Sequence, residues 1–523
     1  MKRIISLVSA AIMIALCAVG PASARSLGDV NGDGKLNNKD VVTLFRRVSG
    51  SDVEAVEENC DVNNDGKLNN KDVVALFRAV SSGTAIEPDD EVKELTICKP
   101  GETRSGFVII YDKQTASPLT AEGNMLAAMI QNYTGSQISS MDSARTSKKE
   151  IILSSSVRAE TAEMKEGLAE GEYAVRVLPG EKEGEGKLLI ATTTYASAFT
   201  CAEYLMETFC SDEKGFCVPC DLDVRGRENE FPLFESSITK KVRDPSVLVE
   251  EGAYYVYGTS WKCFRNKSGS LKGSWKKIDI EVTLAHPETD GGSHWAPEVH
   301  KYNGAYYMFT TYYNSETAHR GCIILKADSP EGPFVEITDG HITPSNWDCI
   351  DGTFYVDPDG QPWMVFVHEW TCMPDGVGSF AAAKLSDDLT HFISEPIELF
   401  KANEPVWAKS NVTDGCFMYT TEDGELLMIW SNFDAFGYAL AVARSSNGRL
   451  DGEWIHEKDL LYSKYMTNGF DGGHGMIFRD TDGQMYVVFH SPNTATDDRK
   501  EIPVFLPIEE KDGRLVRSAV RAG

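Results

Sequence analysis

The stretch RDPSVLVEEGAYYVYG, from Arg243 to Gly258, contains the pattern that decides the fold of the larger part of this chain. A carboxylate, Asp244, precedes a strand of alternating apolar residues, and a turn at 250–252 leads to a second strand at 254–257. The same strand–turn–strand unit recurs downstream, each time with polar or acidic residues at its head. We therefore predict a repeat protein in which carboxylates from several units meet on a common axis.

Two markers repeat through residues 235–523 with a period near 60 residues. Aromatic-rich strands are centred near Tyr255, Tyr307, Trp363, Leu427 and Tyr486. A small or polar stretch ends in an aromatic residue at Trp275, Phe334, Phe392 and Trp454. Short strands, turn residues between them and the lack of long helical patterns are typical of a β-propeller. The count of strand pairs predicts five blades.

The heads of the five units are the candidate functional positions. They are Arg243-Asp244-Pro245, His294-Trp295-Ala296-Pro297-Glu298, Asp348-Cys349-Ile350-Asp351-Gly352, Thr413-Asp414-Gly415 and Gly472-Gly473-His474-Gly475. Because the innermost strands of a propeller run along its channel, equivalent positions on the blades should meet at one mouth. Asp and Gly at the start of a strand are also ordinary turn residues. It is therefore the register of all five heads that predicts a site.

These heads, with the turn SPEGPF at 329–334, resemble glycoside hydrolase family 43, the inverting five-bladed enzymes that act on arabinose- and xylose-containing plant polysaccharides. The resemblance implies that Asp244 is the general base. It also implies that Asp351 holds the general acid in position and raises its pKa.

The resemblance further assigns three residues to substrate binding. Trp295 would form a wall of the sugar pocket and Glu298 belongs to the same head. His474 would lie on the axis, next to a calcium or other ion. Trp261, Trp347 and Trp370 are further candidates for stacking against a sugar, although each would serve equally well as a core residue.

The fourth head departs from the family pattern. The family has Glu-Gly-Pro there, with the Glu as general acid, whereas this chain has Thr413-Asp414-Gly415-Cys416. Asp414 is one methylene shorter and must reach about 1 Å further. We expect Asp414 to be the general acid; otherwise Glu298 or Glu369 supplies the proton. Inversion needs a protonated and an ionised carboxyl group roughly 6.5–9.5 Å apart, with water between them.

The N-terminal segment 27–83 contains two calcium-loop sequences. Oxygen-bearing side chains and one backbone carbonyl fall at the spacing of a twelve-residue EF-type loop, with glycine at position 6. The predicted ligands are Asp29, Asn31, Asp33, Lys35 through its carbonyl, Asn37 and Asp40, and in the second loop Asp61, Asn63, Asp65, Lys67 through its carbonyl, Asn69 and Asp72. An amphipathic helix is predicted after each loop.

Two loop–helix units without an entering helix resemble a dockerin, the module that binds a cohesin domain on a cellulosomal scaffold. The resemblance implies two calcium ions and contacts from Asn38-Lys39 and Asn70-Lys71. Because these pairs are identical in both halves, either face is expected to bind a cohesin. The alternative is a calcium-stabilised spacer.

Composition and the chain start favour a secreted protein. The net charge of −28 argues against nucleic acid or an anionic membrane as a partner. Residues 1–24 have a basic start, an apolar stretch too short to span a membrane and a small-residue cleavage site, which together predict a signal peptide. Acidic residues 84–94 are predicted to form a linker.

Residues 95–230 alternate between apolar runs and helical patterns, which predicts a small α/β domain. Strands are predicted at 107–111, 150–153 and 187–192, and helices at 122–133, 159–168 and 196–209. The pattern resembles the small N-terminal α/β domain that precedes catalytic domains of glycoside hydrolase families 20 and 67. A structural role or carbohydrate binding both fit. Cys217 and Cys220 form a CxxC pair, for which buried thiols or a local disulfide are the simpler interpretations than a redox or zinc site.

The sequence thus predicts a multidomain protein: signal peptide, α-helical calcium-binding dockerin, linker, α/β domain and five-bladed propeller. The predicted function is that of a secreted, cellulosome-attached, inverting hydrolase that removes arabinofuranosyl or xylosyl residues from plant cell-wall polysaccharide. An endo-arabinanase and a non-catalytic carbohydrate-binding propeller are the alternatives, and a retaining enzyme acting on fructans is a more distant one.

Overall fold

The computed structural model describes residues 27–51, 53–62, 67–82, 94–112, 118–156, 158–182, 184–467, 469–496 and 498–518. The predicted signal peptide and nearly all of the predicted linker lie outside these residues, as do Asn63 and Asp65 of the second calcium loop. The chain separates into two compact units, Met1–Glu94 and Leu95–Gly523.

The first unit contains two helices, each of which follows a calcium-loop sequence as predicted: α1 (Asn38–Val48) and α2 (Asn70–Ser82), with a short 3-10 turn at Glu57–Asn59 between them. Asn37 caps α1 because its side chain accepts a hydrogen bond from the Lys39 backbone N–H, while Asp40 accepts one from the Asn37 N–H. One core joins the two halves, formed by Val30, Leu44, Cys60, Val62 and Leu76.

The second unit begins with an α/β layer. Its main sheet has the strand order β3-β2-β4-β6-β5-β9, where the strands are β2 (Arg104–Tyr111), β3 (Gln137–Asp142), β4 (Lys149–Leu153), β5 (Glu172–Pro179), β6 (Gly186–Thr192) and β9 (Asp223–Arg227). A small second sheet contains β1 (Glu94–Cys98), β7 (Cys210–Ser211) and β8 (Gly215–Pro219).

Three helices cover this sheet: α3 (Pro118–Thr134), α4 (Ala159–Glu166) and α5 (Tyr195–Phe209). Apolar residues of α3 and α5 belong to the core on one face, and Met164 of α4 belongs to the core on the other. The three predicted strands and three predicted helices are confirmed. Strands β3, β5 and β9 were not predicted, since β3 is largely polar and β9 alternates charged residues.

Five sheets follow in chain order. Sheet one contains β11 (Ser246–Glu250), β12 (Ala253–Gly258), β13 (Lys262–Asn266) and β14 (Lys276–Ile278). Sheet two contains β15 (Val282–Thr283), β16 (Trp295–Tyr302), β17 (Ala305–Asn314), β18 (His319–Ala327) and β19 (Phe334–Glu336). Sheet three contains β20 (Cys349–Val356), β21 (Pro362–His368), β22 (Ser379–Lys384) and β23 (Ile397–Lys401).

Sheet four contains β24 (Asp414–Thr420), β25 (Leu426–Phe433), β26 (Tyr438–Ser445) and β27 (Trp454–His456). Sheet five contains β28 (Gly473–Arg479), β29 (Met485–Ser491), β30 (Ile502–Lys511) and, as its outer strand, β10 (Phe234–Glu235), while β31 (Arg514–Arg517) pairs with β30. Short 3-10 turns lie at Pro287–Thr289 and Lys464–Thr467.

Counted outward from the strands that contact one another between sheets, the first strands are β11, β16, β20, β24 and β28, and the second strands are β12, β17, β21, β25 and β29. The first strands form a closed circuit. Strand β11 contacts β16, and the contacts continue from β16 to β20, β20 to β24, β24 to β28 and β28 back to β11. Apolar cores fill the spaces between neighbouring sheets. Each predicted aromatic-rich strand is the second strand of a sheet. The other repeated marker, an aromatic residue that ends a small or polar stretch, lies at or just before an outer strand in sheets one, two and four.

The α/β layer packs against the ring within the same compact unit. Met125, Ala198 and Phe199 of the layer share a core with Met466. The Arg517 guanidinium forms an ion pair with the buried carboxylate of Glu203 on α5. The α/β segment and the sheets therefore belong to one compact unit.

No disulfide joins the described cysteines, which include Cys217 and Cys220. Within the described residues, no helix combines the length and apolar character that a membrane crossing requires.

Candidate active site

A β-bulge interrupts the first strand of sheets two to five at the same place. Its register with the second strand shifts within 295–298, 350–353, 414–417 and 473–476. Inside each shift one residue has a positive φ: Ala296 (44°), Asp351 (56°), Gly415 (54°) and His474 (55°). In sheet one, Asp244 has φ 51° and stands two residues before Ser246, the first paired residue. We call these five residues the bulge positions.

The bulge positions explain why distant residues converge. A bulge redirects a side chain and is common beside active sites. A positive φ costs a non-glycine residue of order 1–3 kcal/mol and persists where the surroundings enforce it. Because Asp244, Asp351 and His474 occupy equivalent positions, their side chains turn toward the same axis. Asp414 stands one residue earlier, since Gly415 holds the bulge position of sheet four.

The His474 imidazole lies at the centre of three carboxylates. Its Nδ1 is 3.4 Å from Asp244 Oδ1, 3.5 Å from Asp414 Oδ1 and 3.7 Å from Asp351 Oδ2. The structure therefore brings together the three carboxylates that the sequence assigned to catalysis, with the histidine assigned to the axis. The Asp244 and Asp414 oxygens that face Nδ1 are at most about 7 Å apart, as the two distances require.

Asp244 is held in place by hydrogen bonds and a charged neighbour. The Thr259 hydroxyl donates to Asp244 Oδ2, and the Asp244 backbone N–H donates to His490 Nδ1 at 3.2 Å. Burial lowers the pKa of His490 to about 4, so its ring is neutral and its Nδ1 can accept that hydrogen bond. Arg243 lies 3.9 Å from Asp244 Oδ1. These contacts hold the carboxylate of Asp244 in one orientation.

Asp351 and Asp414 form a carboxyl pair of unequal depth. Their nearest ligand oxygens lie within 4.8 Å of one another. Asp351 is the deeper residue, with 5% of its side chain exposed against 24% for Asp414. Burial raises the pKa of Asp351 well above its usual range, and the neighbouring carboxylates add to this although the His474 cation opposes it.

Asp414 is surrounded by donors. Burial would raise its pKa, but hydrogen bonds with Asp351, His474 and Tyr438 outweigh burial and hold that pKa below its usual range. The Tyr438 hydroxyl donates to Asp414 Oδ2 at 2.6 Å. The pair therefore holds a proton on the buried Asp351 side while Asp414 is charged. This direction is opposite to the expectation from the family resemblance, in which Asp351 raises the pKa of the acid.

His474 carries the balancing positive charge. Burial disfavours the imidazolium, but the carboxylates of Asp351, Asp244 and Asp414 outweigh it and raise the pKa of His474 to about 10. The trio Asp351, Asp414 and His474 is also the one group of possible metal ligands among the described residues. It offers two carboxylates and a nitrogen that holds a proton, whereas calcium takes six to eight oxygens. This donor set does not fit the predicted axial calcium as a directly bound ion.

Glu298 and Glu369, the alternative proton donors, are engaged away from this cluster. Glu298 accepts a hydrogen bond from the Thr353 hydroxyl at 2.6 Å and pairs with His300. Glu369 accepts one from Arg320 Nε at 2.8 Å. Asp414 is thus the carboxyl group that the structure places beside Asp351.

Three of the candidate tryptophans lie against cationic or imidazole groups. Trp295 precedes the bulge position of sheet two, and the Arg320 guanidinium lies 5.6 Å from its ring centre. Trp261 stacks on His294 and Trp347 on His368, each pair with ring centres 3.7 Å apart. Trp370 is half-buried after β21. Of these four candidates, Trp295 is the one that directly precedes a bulge position.

Tyr438, His490, Thr259 and Thr311 also shape the site and were not predicted. Thr311 Oγ1 accepts the Asp351 backbone N–H at 3.0 Å. One signal was available: His490, Thr311 and Ser431 are polar residues in otherwise apolar second strands, each paired with a position that directly precedes a bulge. Tyr438 has no comparable signal, because it begins an apolar third strand.

The acidic residues of the two calcium-loop sequences accept hydrogen bonds from backbone N–H groups of their own loops. Asp40 accepts backbone N–H groups from Asn31 (3.1 Å) and Asn37 (2.9 Å), and Asp29 accepts one from Gly34 at 2.8 Å. In the second loop Asp72 accepts backbone N–H groups from Val62 and Asn69, of which Asn69 is the equivalent of Asn37. Asp29 and Asp40 are both buried in the same loop. Like-charged carboxylates at this depth fit a site for calcium.

Comparison with known proteins places two families on the chain. The family model "Glycosyl hydrolases family 43" matches residues 236–513, and "Dockerin type I domain" matches residues 27–81. A "Probable arabinan endo-1,5-alpha-L-arabinosidase B" of Aspergillus fumigatus is 27% identical over 159 residues, which is 28% of this chain and 42% of that protein.

An "Extracellular exo-alpha-(1->5)-L-arabinofuranosidase" of Cellvibrio japonicus is 27% identical over 164 residues, 28% of this chain and 45% of that protein. The chain therefore spans less than half the length of these curated relatives. Among solved structures, an endo-arabinase of Bacteroides thetaiotaomicron is 36% identical, with 55% of this chain and 99% of that chain covered and a TM-score of 0.48.

Proposed function

Because the chain belongs to glycosyl hydrolases family 43, we propose that the carboxylate cluster around His474 hydrolyses glycosidic bonds of arabinose- or xylose-containing polysaccharide. In this proposal the five sheets are the blades of a five-bladed propeller, and the active site lies at the mouth of its channel. The observation that carries it is the convergence of Asp244, Asp351 and Asp414 on one histidine.

In this proposal Asp244 is the general base. Its carboxylate removes a proton from water while the water oxygen forms a bond to the anomeric carbon. Thr259 and His490 hold Asp244 in the orientation that this step requires.

The acid function belongs to the Asp351–Asp414 pair. Asp351 stores the proton in the free enzyme, and Asp414, which is more exposed, passes it to the glycosidic oxygen as the bond to the anomeric carbon breaks. Removing the proton leaves two buried carboxylates in contact, and the His474 cation offsets part of that repulsion. One carboxyl group is thus protonated and the other ionised at the same pH.

The stereochemical outcome is proposed to be inversion, because the chain belongs to glycosyl hydrolases family 43. Inverting enzymes separate the two groups by roughly 6.5–9.5 Å and retaining enzymes by about 5–5.5 Å. The upper limit of about 7 Å between the facing oxygens includes both spacings, so an experiment decides between them. Proton NMR of the first-formed sugar tests this: we expect the opposite anomer to the substrate, and retention would refute the assignment of Asp244 as base.

The substrate is proposed to be an arabinan or a related pentose polymer. One curated relative named above is described as an arabinan endo-1,5-α-L-arabinosidase and the other as an exo-α-(1→5)-L-arabinofuranosidase, so an endo-arabinanase is the second candidate. A product profile on linear arabinan, arabinoxylan and xylo-oligosaccharides distinguishes them, since exo action releases single sugars and endo action releases oligosaccharides from the start.

A catalytic-residue test separates an enzyme from a binding protein. We expect wild type to hydrolyse an aryl arabinofuranoside or xyloside and Asp244→Asn to lose at least about 10²-fold in kcat. Asp279→Asn makes the same chemical change at an exposed position on the outer edge of sheet one and should retain full activity. Binding without turnover by wild type would instead support a carbohydrate-binding propeller.

We also propose that the dockerin attaches the enzyme to a cohesin on an extracellular scaffold after export by the predicted signal peptide. Support comes from equivalent exposed residues on the two helices: Val42 and Phe45 on α1, and Val74 and Phe77 on α2, are each about half exposed. Asn38-Lys39 and Asn70-Lys71 are exposed beside them. Two calcium ions, held by the loop residues named above, complete this part of the proposal.

A further inference from the structure

Tyr438 contacts Asp414, the residue proposed to deliver the proton. It is the first residue of β26, the third strand of sheet four. Its side chain is buried, and its hydroxyl donates a 2.6 Å hydrogen bond to Asp414 Oδ2. The other oxygen of the same carboxylate, Oδ1, lies 3.5 Å from His474 Nδ1. The two oxygens of Asp414 are therefore held by two different groups.

The position of Tyr438 is enforced from several sides. A Cβ on Gly473 would lie 2.5 Å from the tyrosine ring, so the glycine before His474 is what leaves space for it. The Tyr438 backbone N–H donates to Asp471 Oδ2 at 3.2 Å. The ring packs against Phe433, with centres 5.2 Å apart, and against His490 at 5.7 Å. A side chain confined in this way loses little further entropy when it orients a partner.

The hydrogen bond from Tyr438 is made to Asp414, an acid with a shorter side chain than its counterpart in the family. Asp414 has one methylene fewer than the glutamate that the family resemblance places at this head, so its carboxylate reaches about 1 Å less far from the backbone. We propose that Tyr438 is a positioning residue that holds Oδ2 of the shortened acid and thereby presents Oδ1 to the glycosidic oxygen. This inference rests on the proposed function, because it concerns how the same site delivers its proton.

A double-mutant cycle tests the proposal. Wild type, Tyr438→Phe, Asp414→Glu and the double variant are compared on an unactivated arabino-oligosaccharide and on a dinitrophenyl arabinofuranoside, whose leaving group needs no proton. We expect Tyr438→Phe to lower kcat on the oligosaccharide by about 10- to 100-fold with KM changed by less than about 3-fold, and to leave kcat on the dinitrophenyl substrate nearly unchanged. With glutamate at 414, which reaches further, the same substitution should cost less than about 3-fold.

Tyr257→Phe is the matched control. Tyr257 is fully buried and its hydroxyl donates a bond of the same 2.6 Å length, but to the Pro330 carbonyl. The proposal is overturned if Tyr438→Phe costs no more than Tyr257→Phe, if it slows both substrates equally, or if the loss is the same with glutamate at 414. Failure of wild type to hydrolyse any pentoside would overturn the proposed function together with this inference. Equal turnover by wild type and Tyr438→Phe would overturn this inference alone.

Discussion

Gly415 leaves room for the backbone of His474 at the axis, and replacing it with alanine tests that packing. A Cβ at this position would lie 2.7 Å from His474 Cα and 2.8 Å from His474 Cγ. Gly415 also has φ +54°, where an alanine costs roughly 1–2 kcal/mol. Because the neighbouring atom is a backbone Cα, rotation of a side chain does not relieve the overlap, which adds about 1–3 kcal/mol. We expect Gly415→Ala to destabilise the second unit by about 2–5 kcal/mol.

Gly360→Ala is the control for the backbone contribution. Gly360 has φ +83° and open space around its ideal Cβ position, so its replacement should cost only about 1–2 kcal/mol. All nine tryptophans lie between Trp261 and Trp454, so urea unfolding followed by tryptophan fluorescence reports this unit alone. Equal unfolding midpoints for the two variants would refute the argument that Gly415 is required for space.

Activity gives a second measurement of the same contact. Displacing His474 by about 1 Å also displaces the group that faces Asp244 and Asp414, and misplacement of that size can cost about 10²-fold in rate. Gly415→Ala should therefore lose most of its turnover at urea concentrations where it is still folded, whereas Gly360→Ala should keep it.

Three further predictions follow from buried charges. The pKa of His474 in the folded protein, about 10, exceeds its unfolded value of 6.5. The stabilisation of the fold by the His474 cation is therefore complete below pH 6.5 and is lost as the pH rises toward 10. The urea midpoint of wild type should fall over that interval, and an equal fall in His474→Gln would contradict this. Arg517→Met leaves the Glu203 carboxylate buried without its cation and should cost about 3–5 kcal/mol at pH 8. Burial raises the pKa of Glu203 to about 7, so this cost should shrink as the pH falls toward 4.5, and a cost independent of pH would argue against it. Because Asp29 and Asp40 are buried together, removal of calcium with EDTA should abolish the far-ultraviolet helical signal of an isolated 27–83 fragment. The tryptophan fluorescence of the full chain should stay constant in EDTA. A fragment that keeps its helices in EDTA would contradict this prediction.

Strand positions that depend on the period of the repeat are predictable from the sequence. Repeat spacing predicted the second strands of all five sheets, since the distance between equivalent strands is set by chain length per repeat. It also predicted that Asp244, Asp351 and His474 would face one axis. The offset of Asp414 was not predictable, because it arises from a bulge whose single extra residue shifts the strand register without changing the local pattern.

Contacts between strands of different sheets could not be read from the sequence. Glu298 is only three residues from Trp295, yet the bulge between them turns its carboxylate to Thr353 in sheet three. Tyr438 reaches Asp414 only because Gly473, 35 positions further on and in another sheet, has no side chain. Such contacts depend on tertiary packing that no local pattern records.

Strand β10 has a consequence for how the protein is made. Phe234 and Glu235 pair with Phe505 and Val504, so a segment that precedes sheet one in the chain completes sheet five, the last sheet to be synthesised. During synthesis β10 has no partner in this sheet until β30 has been made. Asp244 and His474 meet across the contact between β11 of sheet one and β28 of sheet five. A chain cut short before 502 should lack β30, which pairs with both β29 and β10, and should thereby lose the support of the sheet that carries His474.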